Sequence, residues 1–209
     1  DAARVLSNNS SGRMGVMLAQ AARLRGAAVD LVHGPLTLPE AWLEGLECCP
    51  VDTAAELEAA LRQRQESADA VVMAAAVADL RRDAVEQTKL AKLELPNVLS
   101  KGWVEVPDLL AGLAERRPER QLLLGFAALS GEESALIRAG ERKRIAKGCQ
   151  LMFVNPIDRQ GQGFGDQANG GWLLGDGWKQ ELPVMSKLAL AQRLLDGLLT
   201  LRAAESGTS

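Results

Sequence analysis

The stretch Arg4-Val5-Leu6-Ser7-Asn8-Asn9-Ser10-Ser11-Gly12-Arg13-Met14-Gly15 runs from a short apolar segment, through a polar turn, into apolar residues at helical spacing. That order predicts strand, turn and helix, the opening unit of an α/β domain with a parallel sheet. Residues 4–7 read as the first strand and residues 14–25 as the first helix, with Gly26 as its stop signal. In the turn, Gly12 and Gly15 allow close backbone approach to a bound group, and Ser10 or Ser11 can cap the helix. Free amide N–H groups at a helix start attract anions, so the turn reads either as a phosphate site or as a plain capped connection. It lacks the lysine and spacing of a Walker loop and is not a full GxGxxG.

Working outward, residues 27–32 read as the second strand, and residues 54–64 as a helix with Thr53 as N-cap. Residues 70–75 form an apolar run ending in small residues, expected as a buried central strand. Residues 122–126 and 151–154 repeat that signature, with a helix over 132–147 between them and a closing helix over 187–201. Residues 170–182 read as a hairpin, because Asp176-Gly177 suits a primed turn between apolar runs. Residues 81–105 are polar, without a clear period, and carry Lys89, Lys92 and Lys101. A loop of that length in a compact domain is expected to be a lid. Residues 203–209 should fray, and residues 1–209 read as one domain.

Composition narrows the function classes. The chain has 209 residues, 47% hydrophobic and 24% charged, enough for a sizeable soluble core. A net charge of −3 offers no global positive field for nucleic acid or an anionic membrane. No apolar stretch has the length of a membrane span. Cys48, Cys49 and Cys149 lack metal-site spacing and read as buried thiols in a reducing, cytoplasmic compartment. The single histidine, His33, stands before Gly34-Pro35 and has a loop role, which disfavours an imidazole relay. Trp42, Trp103, Trp172 and Trp178 are scattered and read as packing residues, and Asp166 and Asn169 as residues that pin a turn. The start Asp1-Ala2-Ala3-Arg4 has neither an initiator Met nor signal-peptide character and reads as an internal point of a longer chain.

Two further segments carry chemistry. Met73-Ala74-Ala75-Ala76-Val77-Ala78-Asp79 ends a strand with small residues, where open α/β sheets bind flat ligands. Asp79 there either accepts from a sugar hydroxyl, orients a metal-bound phosphate, or caps the next segment. The third segment is basic: Lys143 and Lys147 lie one helical turn apart, suited to phosphate or to plain solvation.

Together and in this order, these motifs resemble the phosphopantothenoylcysteine synthetases. The likeness continues through Leu31-Val32-His33-Gly34-Pro35, Ala75-Ala76-Val77-Ala78-Asp79, Pro107-Asp108-Leu109-Leu110 and Gly125-Phe126-Ala127-Ala128. It ends with Lys143-Arg144-Ile145-Ala146-Lys147, Val154-Asn155 and Leu182-Pro183, and so spans nearly the whole chain. The resemblance implies a Rossmann-like α/β fold, with a mainly parallel sheet flanked by helices, a lysine-bearing flap and a C-terminal hairpin. It implies ligation of 4′-phosphopantothenate to cysteine with CTP and Mg²⁺ through an acyl-cytidylate. It also implies a homodimer, and a flavin-dependent decarboxylase half that is absent here. By the same resemblance Asn8, Arg4 and Lys89 are catalytic. Met73, Ala74, Ala75, Asp79, Lys89, Pro107, Asp108, Leu109, Leu110, Phe126, Lys143 and Lys147 hold the nucleotide. Ser10, Ser11 and Gly12 take the substrate phosphate, and no residue is assigned to a protein-bound metal.

The chain departs from the family pattern at Val106, Leu129 and Gln150, and in the sparse flap run Lys89-Leu90-Ala91-Lys92. Two rival classes remain. A nicotinamide-dependent short-chain oxidoreductase would share the opening unit but generally needs a Tyr–Lys pair, and this chain has no Tyr. An inactive nucleotide-binding scaffold would tolerate Val106 and Leu129.

Overall fold

The computed structural model describes residues 1–160, 162 and 167–206. The first helix, α1 (Arg13–Leu24), turns Val16, Leu18, Ala19 and Ala21 to the core and ends at Gly26, whose φ of 86° only glycine adopts cheaply. Strand β1 (Asp30–His33), a 3-10 turn (Glu40–Leu43) and β2 (Glu47–Pro50) follow. Helix α2 (Ala54–Gln65) starts as expected, with Thr53 Oγ1 accepting from the Glu56 amide at 3.1 Å. Then come β3 (Ala70–Met73), β4 (Leu80–Arg82), α3 (Leu95–Leu99), β5 (Trp103–Glu105) and α4 (Leu109–Glu115). The remainder is β6 (Leu122–Leu129), α5 (Glu133–Ala146), β7 (Leu151–Pro156), β8 (Asn169–Gly175), β9 (Trp178–Met185) and α6 (Lys187–Ser206).

The main sheet has the order β3-β6-β7-β8-β9. Its first three strands run parallel, and β8 and β9 form the expected antiparallel hairpin. Side chains alternate across β6 and β7, giving two core layers. Leu123, Met152 and Val154 pack with Leu113 and Leu136 on the α4 and α5 face. Leu122, Leu124, Leu151 and Phe153 pack with Ala21 of α1 and with Leu190 and Leu194 of α6 on the other. Gly125 is required by packing, since a Cβ there would lie 2.7 Å from Leu110 Cδ2 and 2.9 Å from Met152 Cε. Gln150 has a structural use: its Oε1 accepts from the Leu123 amide at 2.8 Å, extending the β6 ladder.

Several sequence expectations are corrected. Residues 4–7 form no strand, and Val5 and Leu6 are 92% and 72% exposed. Their apolar run is two residues long, and the flanking side chains bond to loops instead of to a ladder. Strand β3 is an edge of the main sheet and not its centre, with Ala70 exposed and Val71 and Val72 half-buried. The flap is not structureless. Strands β4 and β5 pair in it, the Arg82 guanidinium lies 5.8 Å from the Trp103 ring, and it donates to the Val98 carbonyl at 2.8 Å and to that of Lys101. Cys48 is exposed and Cys49 half-buried, because both lie on β2, a strand that the sequence reading lacked; only Cys149 is buried. Helix α6 continues through residues 203–206. Asp166 and the preceding Gly163-Phe164-Gly165 lie outside the described residues. Among the described residues no helix is long and apolar enough to cross a membrane.

Candidate active site

The carboxyl ends of β3, β6 and β7 face one edge of the main sheet, where α/β folds collect ligands. The opening turn is fastened to this edge. Asn8 Nδ2 donates to the Ala76 carbonyl at 2.8 Å, just beyond the end of β3. Gly12 occupies the N-cap of α1 with φ 76°, and a Cβ there would also collide with Leu36 Cδ2. Glycine therefore takes the cap position that the sequence reading gave to a serine. Ser10 Oγ and Ser11 Oγ instead accept at 3.4 Å from the Gly12 and Arg13 amides. The Gly12 and Arg13 amides are thus held by the turn's own serines, at the N-terminal end of α1 where a helix attracts anions.

A second group gathers around the flap. The Arg4 guanidinium donates to the Leu90 carbonyl at 2.7 Å and pairs with Asp1 at 2.9 Å. Asp1 is nearly buried and accepts from the Leu90 amide at 3.2 Å, so the N-terminus and flap are tied by both backbone groups of Leu90. Arg4, Lys89 and Lys92 then line an open cleft of about 660 Å³ with Ala91 and Leu95. Asp1 had no signal in the sequence beyond its place one turn before Arg4.

A third group lies on the other face. Asp108 caps α4, its Oδ1 accepting from the Ala111 amide at 3.1 Å. Its Oδ2 accepts from Lys147 Nζ at 2.7 Å, at the end of α5. Burial pushes the Asp108 carboxyl up, but the Lys147 and amide hydrogen bonds outweigh it and hold the group below the ordinary carboxylate value. Leu109 and Leu110 are core residues, 6% and 5% exposed, so only their backbone can meet a ligand. Lys143 is exposed on α5, and Arg144 points away, forking onto Glu141 at 2.7 and 2.9 Å and reaching Asp176 at 3.2 Å. Phe126 stands edge-on to Phe153 at 5.5 Å, on the α1 side of β6. Asp79 is exposed, and its carbonyl accepts from the Val106 amide at 2.9 Å.

Asn8 thus meets the β3 loop, Arg4 meets the Lys89 flap, and Asp108 meets Lys147. Among the described residues no hydrogen bond or ion pair joins the three groups to each other.

Residues 1–201 match the family model described as the DNA/pantothenate metabolism flavoprotein C-terminal domain. This chain belongs to that family. Among curated relatives, the Escherichia coli (strain K12) Coenzyme A biosynthesis bifunctional protein CoaBC is 35% identical over 96% of the chain and 48% of its own length. The Bacillus subtilis (strain 168) CoaBC is likewise 35% identical, over 96% of the chain and 48% of its own length. The chain therefore spans about half the length of the curated relatives it matches. A solved C-terminal domain of CoaBC superposes with a TM-score of 0.76 at 27% identity, covering 96% of this chain and 88% of that one. A Cab2 variant solved in complex with phosphopantothenate-cysteine shares the fold, with a TM-score of 0.69 at 13% identity, covering 99% of this chain and 82% of that one.

Proposed function

We propose that this chain joins 4′-phosphopantothenate to cysteine, using CTP with Mg²⁺, in coenzyme A biosynthesis. The observation that carries the reading is the Asn8–Ala76 hydrogen bond, which draws the opening turn onto the small-residue loop at the sheet edge. Membership of the family, the CoaBC relatives and the product-bound Cab2 neighbour support it.

A carboxylate is a poor electrophile. It becomes reactive when its oxygen attacks the α-phosphorus of CTP, releasing pyrophosphate and leaving an acyl-cytidylate. The cysteine amine then attacks the acyl carbon, loses a proton and displaces CMP. Neither step needs a protein nucleophile, so the chain's task is to position the reactants and offset developing charge. In this reading Asn8 directs its amide at the acyl-phosphate oxygens, with Arg4 beside it. Lys89, carried by the flap across the cleft, meets the phosphates. Met73, Ala74, Ala75, Asp79 and Phe126 hold the cytidine, together with the backbone of residues 107–110. Lys143 and Lys147 supply charge from the α5 side, and Ser10, Ser11 and Gly12 receive the phosphate of phosphopantothenate. In this reading Mg²⁺ enters on the triphosphate as part of the substrate.

The reading extends to a cytoplasmic homodimer, and to a flavin-dependent decarboxylase half elsewhere in a longer protein. The test is direct. The protein is mixed with 4′-phosphopantothenate, CTP, Mg²⁺ and cysteine, and pyrophosphate and ligated product are followed. Product in proportion to pyrophosphate is expected. CTP binding without either product would make the chain a nucleotide-binding scaffold. Tight NADPH binding with hydride transfer would restore the oxidoreductase.

A further inference from the structure

The Asp1 side chain is 2% exposed, and its carboxylate oxygens meet three partners: the Ala3 amide at 3.0 Å, the Arg4 guanidinium at 2.9 Å and the Leu90 amide at 3.2 Å. Asp1 and Arg4 grip Leu90 together, one accepting from its N–H and the other donating to its carbonyl at 2.7 Å. The pair thus holds both backbone groups of one flap residue, as a neighbouring strand would. Only Nη2 of Arg4 is engaged in these contacts, so its other N–H groups stay available to the cleft. A buried carboxylate is kept only where it is paired and hydrogen-bonded, and the flap backbone supplies part of that pairing here.

Lys89 immediately precedes the gripped residue, and one step beyond it the Ala91 amide donates to Glu94 Oε2 at 2.9 Å. Two consecutive flap amides are therefore held by two different acids. The consequence for the cleft is electrostatic. Its lining includes Arg4, Lys89 and Lys92 and no acidic residue, and neither lysine makes an ion pair among the described residues. With Asp1 and Glu94 turned onto backbone amides, an incoming polyanion meets cations only.

Building on the proposed ligase function, we propose that Asp1 is a positioning residue for CTP capture, acting through Arg4 and the Leu90 backbone to fix Lys89 at the rim of the cleft. Asp1 touches no reactant. Its part is geometric: a lysine stem is long and flexible, so its ammonium meets a triphosphate in one place only when the backbone carrying it is held. A flap released from Asp1 keeps the same charge but spreads it over many positions. Capture of the triphosphate then weakens, while the later attack by cysteine does not.

The experiment is a double-mutant cycle, Asp1→Ala with and without Lys89→Ala, read by pyrophosphate release and ligated product. Asp1→Ala alone should lower kcat/KM for CTP about ten-fold and leave kcat/KM for cysteine, which reacts after pyrophosphate has left, unchanged. In the Lys89→Ala background the same substitution should cost less than about two-fold, because its target is gone. Trypsin gives a reading independent of activity: Asp1→Ala should speed cleavage of the Lys89–Leu90 bond and leave cutting within α5 as it is in wild type. Uniformly faster cleavage, equal losses in the two backgrounds, equal losses for CTP and cysteine, or an unchanged kcat/KM for CTP overturns the role of Asp1, while the ligase reading stands on wild-type turnover. A wild-type chain that forms neither pyrophosphate nor ligated product overturns both.

Discussion

Strands β6 and β7 and strands β1 and β2 are both parallel pairs, yet they live in different surroundings. Leu122, Leu123 and Leu124 of β6 and Leu151, Met152 and Phe153 of β7 are at most 1% exposed. No residue of β1 or β2 is fully buried. The ladder hydrogen bonds are alike, so pairing does not explain the difference. Flanking does: β6 and β7 have strands on both sides and helices on both faces, whereas β1 and β2 have only each other in their sheet. Stability is concentrated in the β6–β7 half. The candidate chemistry sits where that half meets the more open N-terminal half and flap.

The contrast can be broken most forcefully at Leu124. Leu124→Ala should cost about 2–5 kcal/mol in chemical denaturation, whereas Val32→Ala in β1 should cost clearly less. Equal losses would mean that β1 is as much a part of the core as β6. Next in size is Asn8→Ala, expected to slow ligation by about a hundred-fold or more while CTP binding persists. Parallel losses of rate and CTP affinity would make the Asn8–Ala76 bond a scaffold contact only. Thr53→Ala removes the α2 cap and should cost about 1 kcal/mol without touching turnover.

Cysteine chemistry sharpens the same contrast. Burial pushes the Cys149 thiol up to about 11, with nearby Lys147 only partly opposing it. Iodoacetamide at pH 8 should therefore label exposed Cys48 and spare Cys149, as peptide mass mapping would read. The smallest effect is expected at Asp108. Its folded-state value is depressed, so its contribution is present above the unfolded value and fades as pH falls through the lower folded one. Asp108→Asn should flatten the acid limb of the stability curve slightly, and an unchanged limb would mean that the Lys147 contact is fully screened.

Much of this was legible in the sequence. Leu122-Leu123-Leu124 and Leu151-Met152-Phe153-Val154 announce strands buried on both faces, and Thr53, Gly26 and Asp176-Gly177 mark boundaries through local chemistry that needs no tertiary partner. Residues 4–7 misled because a strand requires neighbours as well as apolar residues, and theirs are loops. Strand β2 was missed because Glu47-Cys48-Cys49-Pro50 has no apolar alternation, and its pairing with β1 is a tertiary fact. At the site, residue types were legible from the motifs, but the links were not. Nothing local says that Asp108 meets Lys147 or that Asp1 holds the flap.

The last turn of α5 joins two distant parts. Arg144 grips the tip of the hairpin at Asp176, and three residues on, Lys147 grips the head of α4. That turn is a crossbeam between the exposed hairpin tip and the N-cap residue of α4, Asp108.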